Sequence, residues 1–291
     1  MPEIEGYIEP LLVEIGGVYS YLHVEVTAPP DPQKCMFLIH DLAGRSDDFA
    51  PLAPHLARLG YKVVMIDLPG RGKSAAVEEA NYTPRMYMEV LFALLKEHGL
   101  KQNAVLGQGW GAMIALLFES FMARPLENMY LVDLPAHWSY ATDRAAQTWS
   151  ALALICTKSP QDFLAQAEKA VPQDLAGRDE LLTLAVERVR IVEGNHQLAL
   201  DPAIFANLSK SETKNYTLES ALSKLRSPTQ LLQGAQCAVS LVATSFVAQK
   251  HLSGKVGHAQ IMRGSHTSWT DPTLLFPVLG AVCASGQATP P

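Results

Sequence analysis

AVLGQGWGAM, residues 104–113, is the stretch that decides the fold. Residues 104–107 read as a short apolar strand, and 110–122 read as a helix of small and apolar side chains. Between them Gly107, Gly109 and Gly111 stand at every second position. Glycine takes backbone angles closed to other residues and lets two backbones approach closely. The spacing therefore predicts a sharp, strained turn from the strand into the helix.

Outward from this turn the pattern repeats. CMFLIH (35–40), YKVVMID (61–67) and ENMYLVD (127–133) are short apolar runs that read as buried strands. FAPLAPHLARLG (49–60) and YTPRMYMEVLFALLKEHG (82–99) have helical spacing, the second with Thr83 as N-cap, Pro84 in the first turn and Gly99 at the end. Continuous apolar strands alternating with helices predict an α/β protein with a parallel sheet covered on both faces. YIEPLLVEIGGVYSYLHVEV (7–26) predicts two antiparallel strands around Gly16-Gly17.

After residue 134 the strand rhythm stops. DRAAQTWSALALIC, SPQDFLAQAEKA and RDELLTLAVERVRIV read as helices of an insertion over 135–215. The rhythm returns with helix YTLESALSKL, strand PTQLLQG, a helix over about 239–252, strand HAQIMRG and helix DPTLLFPVLGAV. The expected division is a core of 1–134 and 216–291 interrupted by a helical cap.

Composition excludes several classes. The 291 residues carry 23 Lys and Arg against 29 Asp and Glu, a net charge of −6, with no basic cluster among aromatics that would suit nucleic acid. The acidic start, with Glu3, Glu5, Glu9 and Glu14, predicts no signal peptide, and no apolar run is long enough to span a bilayer. Cys35, Cys156, Cys237 and Cys283 lie far apart, which predicts free, mostly buried thiols and a cytoplasmic location. The nine histidines lack metal-ligand spacing, and neither a dinucleotide fingerprint nor a P-loop is present. The expected partner is a small molecule, with no metal, cofactor, membrane or nucleic acid; a homodimer is left open.

Five stretches, in order, resemble the α/β-hydrolase superfamily: IHDLAG (39–44), IDLPGRGKS (66–74), GQGWG (107–111), the helical segment, and RGSHTSWTDP (263–272). The resemblance covers roughly residues 7–285 and implies a mostly parallel eight-stranded sheet with helices on both faces and a helical cap. It makes GQGWG a nucleophile elbow, Gly-x-Ser-x-Gly, with Gly109 where the serine belongs. It implies an oxyanion hole from the backbone amides of Leu42 and Trp110 and a general base at His266. The acid that orients the base would be Asp133, 133 − 109 = 24 residues past the elbow centre, an offset that resembles dehalogenases and lactonases. At the commoner acid position stands Cys237, which cannot do a carboxylate's work. Asp41 replaces a frequent glycine in the oxyanion loop.

Glycine has no hydroxyl, so an acyl-serine at position 109 is excluded. Ser46, Ser74, Ser265 and Cys237 are poor substitutes by position: Ser46 is expected to face a following helix, Ser74 to cap one, and Ser265 to face away from His266. Asp41 is a candidate acid or ligand contact. Three readings follow. In the first, removal of the serine side chain leaves room for substrate or water against His266, which acts as a base for lyase, isomerase, cyclase or water-mediated hydrolysis chemistry, as in relatives of this fold that work without covalent catalysis. In the second, the chain is a ligand-binding pseudoenzyme. In the third, it is a serine esterase or lactonase inactivated by a Ser-to-Gly change. His137, Trp138 and Tyr140 follow directly on Asp133 and are expected at the mouth, under a lid that suits a mostly apolar ester, lactone or polyketide-like molecule.

Overall fold

The computed structural model describes residues 3–134, 137–138, 140, 142–210, 216–217, 219–234 and 256–262. The chain opens with β1 (Glu5–Ile8), a hairpin of β2 (Leu11–Ile15) and β3 (Val18–Leu22), and β4 (Val24–Ala28). The two strands expected over 7–26 are therefore four. Pro10 has no N–H to continue a ladder, and β1 pairs antiparallel with β4 instead of extending the hairpin. The hairpin itself turns at Gly16-Gly17, both at positive φ, as anticipated.

Strands and helices then alternate: β5 (Lys34–Ile39), α1 (Ala53–Arg58), β6 (Tyr61–Ile66), α2 (Pro84–His98), β7 (Gln102–Gln108), α3 (Trp110–Phe121) and β8 (Asn128–Val132). The Thr83 hydroxyl accepts from Met86 N and caps α2, with Pro84 following it. Beyond β8 come β9 (His137–Trp138), α4 (Arg144–Ala153), β10 (Cys156–Thr157), α5 (Pro160–Ala170), α6 (Arg178–Glu187), β11 (Val189–Val192), β12 (Asn195–Leu198), α7 (Ala203–Lys210) and β13 (Tyr216–Thr217). The chain returns to the core with α8 (Glu219–Lys224), β14 (Thr229–Gly234) and β15 (Val256–Met262). The expected helices over 239–252 and after residue 270 lie outside the described residues.

Eight strands form one sheet in the order β1-β4-β6-β5-β7-β8-β14-β15. From β6 to β15 every pairing is parallel; β1 and β4 add an antiparallel edge. Neighbouring residues of the central strands face opposite layers. Met36, Leu38, Val63 and Met65 pack with Ala53, Leu56 and Ala57 of α1. Phe37, Ile39, Val64 and Ile66 join the larger core with α2 and α3. Burial on both faces is why these strands are apolar at every position rather than at alternate ones.

The insertion is not wholly helical. The run RDELLTLAVERVRIV ends its helix at Glu187, and β10, β12 and β11 form a small antiparallel sheet. Glu193 and Gly194, both at positive φ, make the two-residue turn between β11 and β12. The β-branched Val189, Ile191 and Val192 favour the strand. Main-chain bonds fasten the insertion to the turn after β6: Gly72 N donates to Ala199 O at 2.9 Å and Asp201 N to Gly70 O at 2.8 Å. The Arg188 guanidinium reaches the loop after β5, donating to Ala43 O at 2.7 Å and to both Asp48 carboxylate oxygens.

Helix α3 lies flush on the sheet. An added Cβ on Gly111 would stand 2.6 Å from His40 O and 2.7 Å from Ile39 C, both main-chain atoms that cannot yield. Gly111→Ala is expected to cost about 1–3 kcal/mol through overpacking, read as a lower thermal unfolding midpoint by circular dichroism.

Candidate functional site

Strand β7 ends at Gln108, and α3 begins at Trp110. The single residue between them, Gly109, has φ 51° and ψ −111°. These angles are close to the first central position of a type II′ turn, which glycine occupies without strain. Gly109 N donates to Val132 O at 2.9 Å, and Gly109 O accepts from Ala112 N and Met113 N. The elbow is thus clamped to β8 on one side and continues as the first turn of α3 on the other.

The space beside Gly109 is filled. Trp110 N donates to Asp41 Oδ1 at 2.6 Å. A Cβ built on Gly109 would lie 2.6 Å from Asp41 Cγ and 3.2 Å from Oδ2, and would overlap Oδ1. This corrects the expectation of an open room left by the missing serine: the Asp41 carboxylate occupies it. The physical reason is the helix terminus. The first N–H groups of α3 need an acceptor, Gly109 has no side chain to supply one, and the positive end of a helix attracts an anion. In register, Ile39 of β5 faces Gly107 of β7, so the loop after β5 stands beside the elbow and its second residue reaches across.

That loop is locked from behind. Leu68 N donates to His40 Nε2 at 2.9 Å, so Nε2 carries the lone pair and Nδ1 carries the proton. Nδ1 donates to Asp41 O at 2.6 Å, and Gly44 N donates to the same oxygen at 2.9 Å. With the carbonyl of the Asp41–Leu42 peptide held on that side, the Leu42 N–H projects to the other. Burial pushes the His40 pKa down to about 3 despite its bond to Asp41 O, which favours the proton, and the Arg71 and Arg188 charges push the same way as burial. His40 is a neutral strut.

Arg71 is a second strut, and sequence reading passed over it inside the DLPGRGKS turn. It is fully buried, donating from Nε to Leu42 O at 3.0 Å and from Nη1 to Pro69 O and Tyr87 Oη, both at 2.8 Å. Its guanidinium stands 5.5 Å from the centre of the Tyr87 ring, which meets the Trp110 ring edge-on at 6.1 Å. A cation embedded among carbonyls and a ring face thus ties the loop after β5, α2 and the start of α3 together.

Asp133 follows β8 directly, is buried, and has φ 50°, a left-handed conformation that aspartate tolerates better than most residues. Its N donates to Leu232 O at 2.8 Å, and the preceding residue, Val132, accepts from Gly109 N. Its backbone therefore lies at the elbow's edge of the sheet. His266, Ser265, Cys237 and Cys283 lie outside the described residues; β15 ends at Met262. The backbone of His137 and Trp138 pairs with Thr217 and Tyr216 in a two-stranded ladder, and Tyr140 packs its ring 6.5 Å from that of Phe205.

Two of the substitute nucleophiles, Ser46 and Ser74, are engaged elsewhere. Ser46 is buried, its N donating to Asp67 Oδ1 and its hydroxyl to Glu25. Ser74 is no helix cap: its Oγ accepts from His23 N and donates to Asp67 O, clasping the turn after β6 to the end of β3. The Cys35 thiol is buried, with its pKa pushed up to about 12 by desolvation, whereas Cys156 is exposed. Among the described residues no group of three His, Cys, Asp or Glu side chains is placed to hold a metal ion, and no helix is long and apolar enough to cross a membrane.

A family model described as the alpha/beta hydrolase fold matches residues 34–178. The chain also superposes on an alpha/beta hydrolase from Novosphingobium aromaticivorans with a TM-score of 0.72 and 17% identity, covering 98% of this chain and 99% of the other. This protein has the α/β-hydrolase fold. In sequence it is similar to a proline iminopeptidase of Lacticaseibacillus rhamnosus, 29% identical over 116 residues, 39% of this chain and 40% of that one. It is also similar to epoxide hydrolase B of Mycobacterium tuberculosis, 32% identical over 100 residues, 33% of this chain and 28% of that one. The matched segments thus span well under half of these curated relatives.

Two outcomes follow from the site's geometry. Gly109→Ala meets both an unfavourable φ, at about 1–2 kcal/mol, and the Asp41 carboxylate; combined with Asp41→Gly it should cost less than the sum of the single changes, measured as a coupling energy in denaturant unfolding. His40 resists protonation when folded, so between its ordinary 6.5 and about 3 the unfolded chain binds the extra proton, and stability falls as pH falls through that window. A His40→Gln variant should show a shallower loss of stability over the same window.

Proposed function

We propose that this protein is an enzyme that works without a serine, with Asp41 in the serine's place, His266 as the base and Asp133 as the group that positions the base. The observation that carries this reading is the Asp41 carboxylate seated on the Trp110 amide in the side-chain space of Gly109. A carboxyl group held at the end of a sheet by a locked loop is poised for chemistry, and the fold's sequence pattern retains a histidine after the last strand and an aspartate beside the elbow. Hydrolysis of a mostly apolar small molecule, with His266 accepting a proton from water, fits both these groups and the hydrolases the chain is similar to. The third reading, a recent Ser-to-Gly inactivation, loses support, because a serine at 109 would collide with Asp41 as it stands.

A ligand-binding role draws on the same bond. An anion resting on Trp110 N closes that oxyanion donor, as a protein with no turnover could tolerate. The two readings part on mutation. For an enzyme, His266→Ala abolishes hydrolysis across a panel of esters, lactones and epoxides, and Asp133→Asn reduces it about 10²–10⁴-fold, the range of a positioned base, while ligand affinity changes little. A binding protein turns over none of the panel in either form. An unchanged rate in Asp133→Asn would remove Asp133 from its role.

A further inference from the structure

Among the described residues, half of the large apolar side chains that stay exposed fall within residues 7–21: Tyr7, Ile8, Leu12, Val18, Tyr19 and Tyr21. The hairpin of β2 and β3 carries four of them. Its first strand alternates, with Leu11, Val13 and Ile15 buried and Leu12 and Glu14 turned outward. The register sets Leu12 opposite Tyr21 and Glu14 opposite Tyr19, so these four side chains share one outward face. Leu12 is 65% exposed, Tyr19 72% and Tyr21 40%. Two tyrosines and a leucine on one small face have the composition of a contact surface rather than of a solvated one.

The same strand has an open edge. In an antiparallel ladder, pairs that exchange main-chain bonds alternate with pairs whose N–H and C=O point outward. Tyr21 O accepts from Ala75 N, in the turn after β6, at 2.9 Å, so the pair of Tyr21 and Leu12 is one that points outward. Glu14 lies two residues further along and points the same way. On the β3 side Ala75 uses this edge. On the β2 side no strand pairs among the described residues, since the hairpin is a sheet of two strands. The N–H and C=O of Leu12 and of Glu14 therefore stand ready beside an apolar face, which is a template for a further strand.

Charge selects what that strand is. The chain holds no Lys or Arg before Lys34, and Glu14 lies on the face itself. A second copy adding its β2 antiparallel about Val13 would set each Glu14 against a Leu12, with no Lys or Arg in the first 33 residues of either copy to offset the acids. An anionic membrane surface repels the same acids. A segment with an apolar residue opposite Leu12 and a cation opposite Glu14 satisfies both positions.

We infer that the open edge of β2 takes an extended segment of another protein, in which basic and apolar residues alternate along the face shared with Leu12 and Glu14. Main-chain bonds to residues 12 and 14 supply the common part of the affinity, and the side chains on the outward face supply the choice of partner. This surface is a feature of the hairpin and stands whatever the elbow does.

The probe is a fluorescein-labelled peptide of sequence Lys-Thr-Leu-Thr-Lys-Thr-Leu, which places lysine and leucine by turns on one face of a strand. It is titrated with the whole 291-residue chain and followed by fluorescence anisotropy. Saturable binding is expected, and a peptide with glutamate in place of lysine should bind at least about tenfold more weakly. Glu14→Lys should reverse that preference. Leu12→Pro removes an outward N–H that the ladder does not use, so its unfolding midpoint should stay close to the wild type while peptide affinity falls about tenfold or more. Two further peptides, N-methylated at odd or at even residues, need no variant of the protein: one should lose binding and the other keep it, because only alternate amides of an added strand face β2.

No saturable binding of the lysine peptide at about 0.5 mM protein would overturn the inference. Equal binding of the two N-methylated peptides would remove strand addition, and equal binding of the lysine and glutamate peptides would remove the basic partner. A concentration-dependent dimer in sedimentation velocity that Leu12→Pro dissolves would replace the foreign segment with a second copy of this chain.

Discussion

One hydrogen bond joins the two halves of the site: Trp110 N to Asp41 Oδ1, between residues 69 apart in sequence. It satisfies a helix terminus that has no capping side chain of its own, and it places a negative charge where the dipole of α3 favours one. It also fixes what residue 109 can be. A side chain there would need the same volume as the Asp41 carboxylate and would adopt an unfavourable φ as well. The glycine at the elbow and the aspartate in the neighbouring loop are therefore one structural solution, in which the polar group enters from the loop after β5 instead of from the elbow.

The rest of the structure holds that loop still. His40 is buried beneath it as a neutral donor–acceptor pair, with one nitrogen on Leu68 N and the other on Asp41 O. Burial keeps it uncharged, so the link does not open near neutral pH. Arg71 grips the next carbonyl from the turn after β6. The insertion is sewn to the same two loops, by main-chain bonds at Gly70 and Gly72 and by Arg188 on Ala43 and Asp48.

Likeness of fold does not by itself assign a reaction. The relatives in hand cleave bonds as different as those of a peptide and an epoxide, judged by their names alone. What separates this chain within the fold is local chemistry: an anion rather than a hydroxyl at the elbow, and an amide donor already engaged.

Much of this protein was legible in its residues. Continuous apolar runs announced strands buried on two faces, because a parallel sheet covered by helices leaves no polar side. Thr83 and Pro84 marked the start of α2, and the glycine alternation marked the turn before α3, because caps and positive φ are decided by the local chain. The β-turn at Glu193-Gly194 was also local, yet it was missed where a strand was read as the end of a helix. What the sequence could not state was which side chain enters the space beside Gly109. That depends on β5 lying next to β7, on the register of Ile39 against Gly107, and on the struts that aim the loop. Such contacts between distant segments have no signature along the chain, so the sequence determined that a hydroxyl was absent, and only the tertiary structure decided that a carboxylate stands in its place.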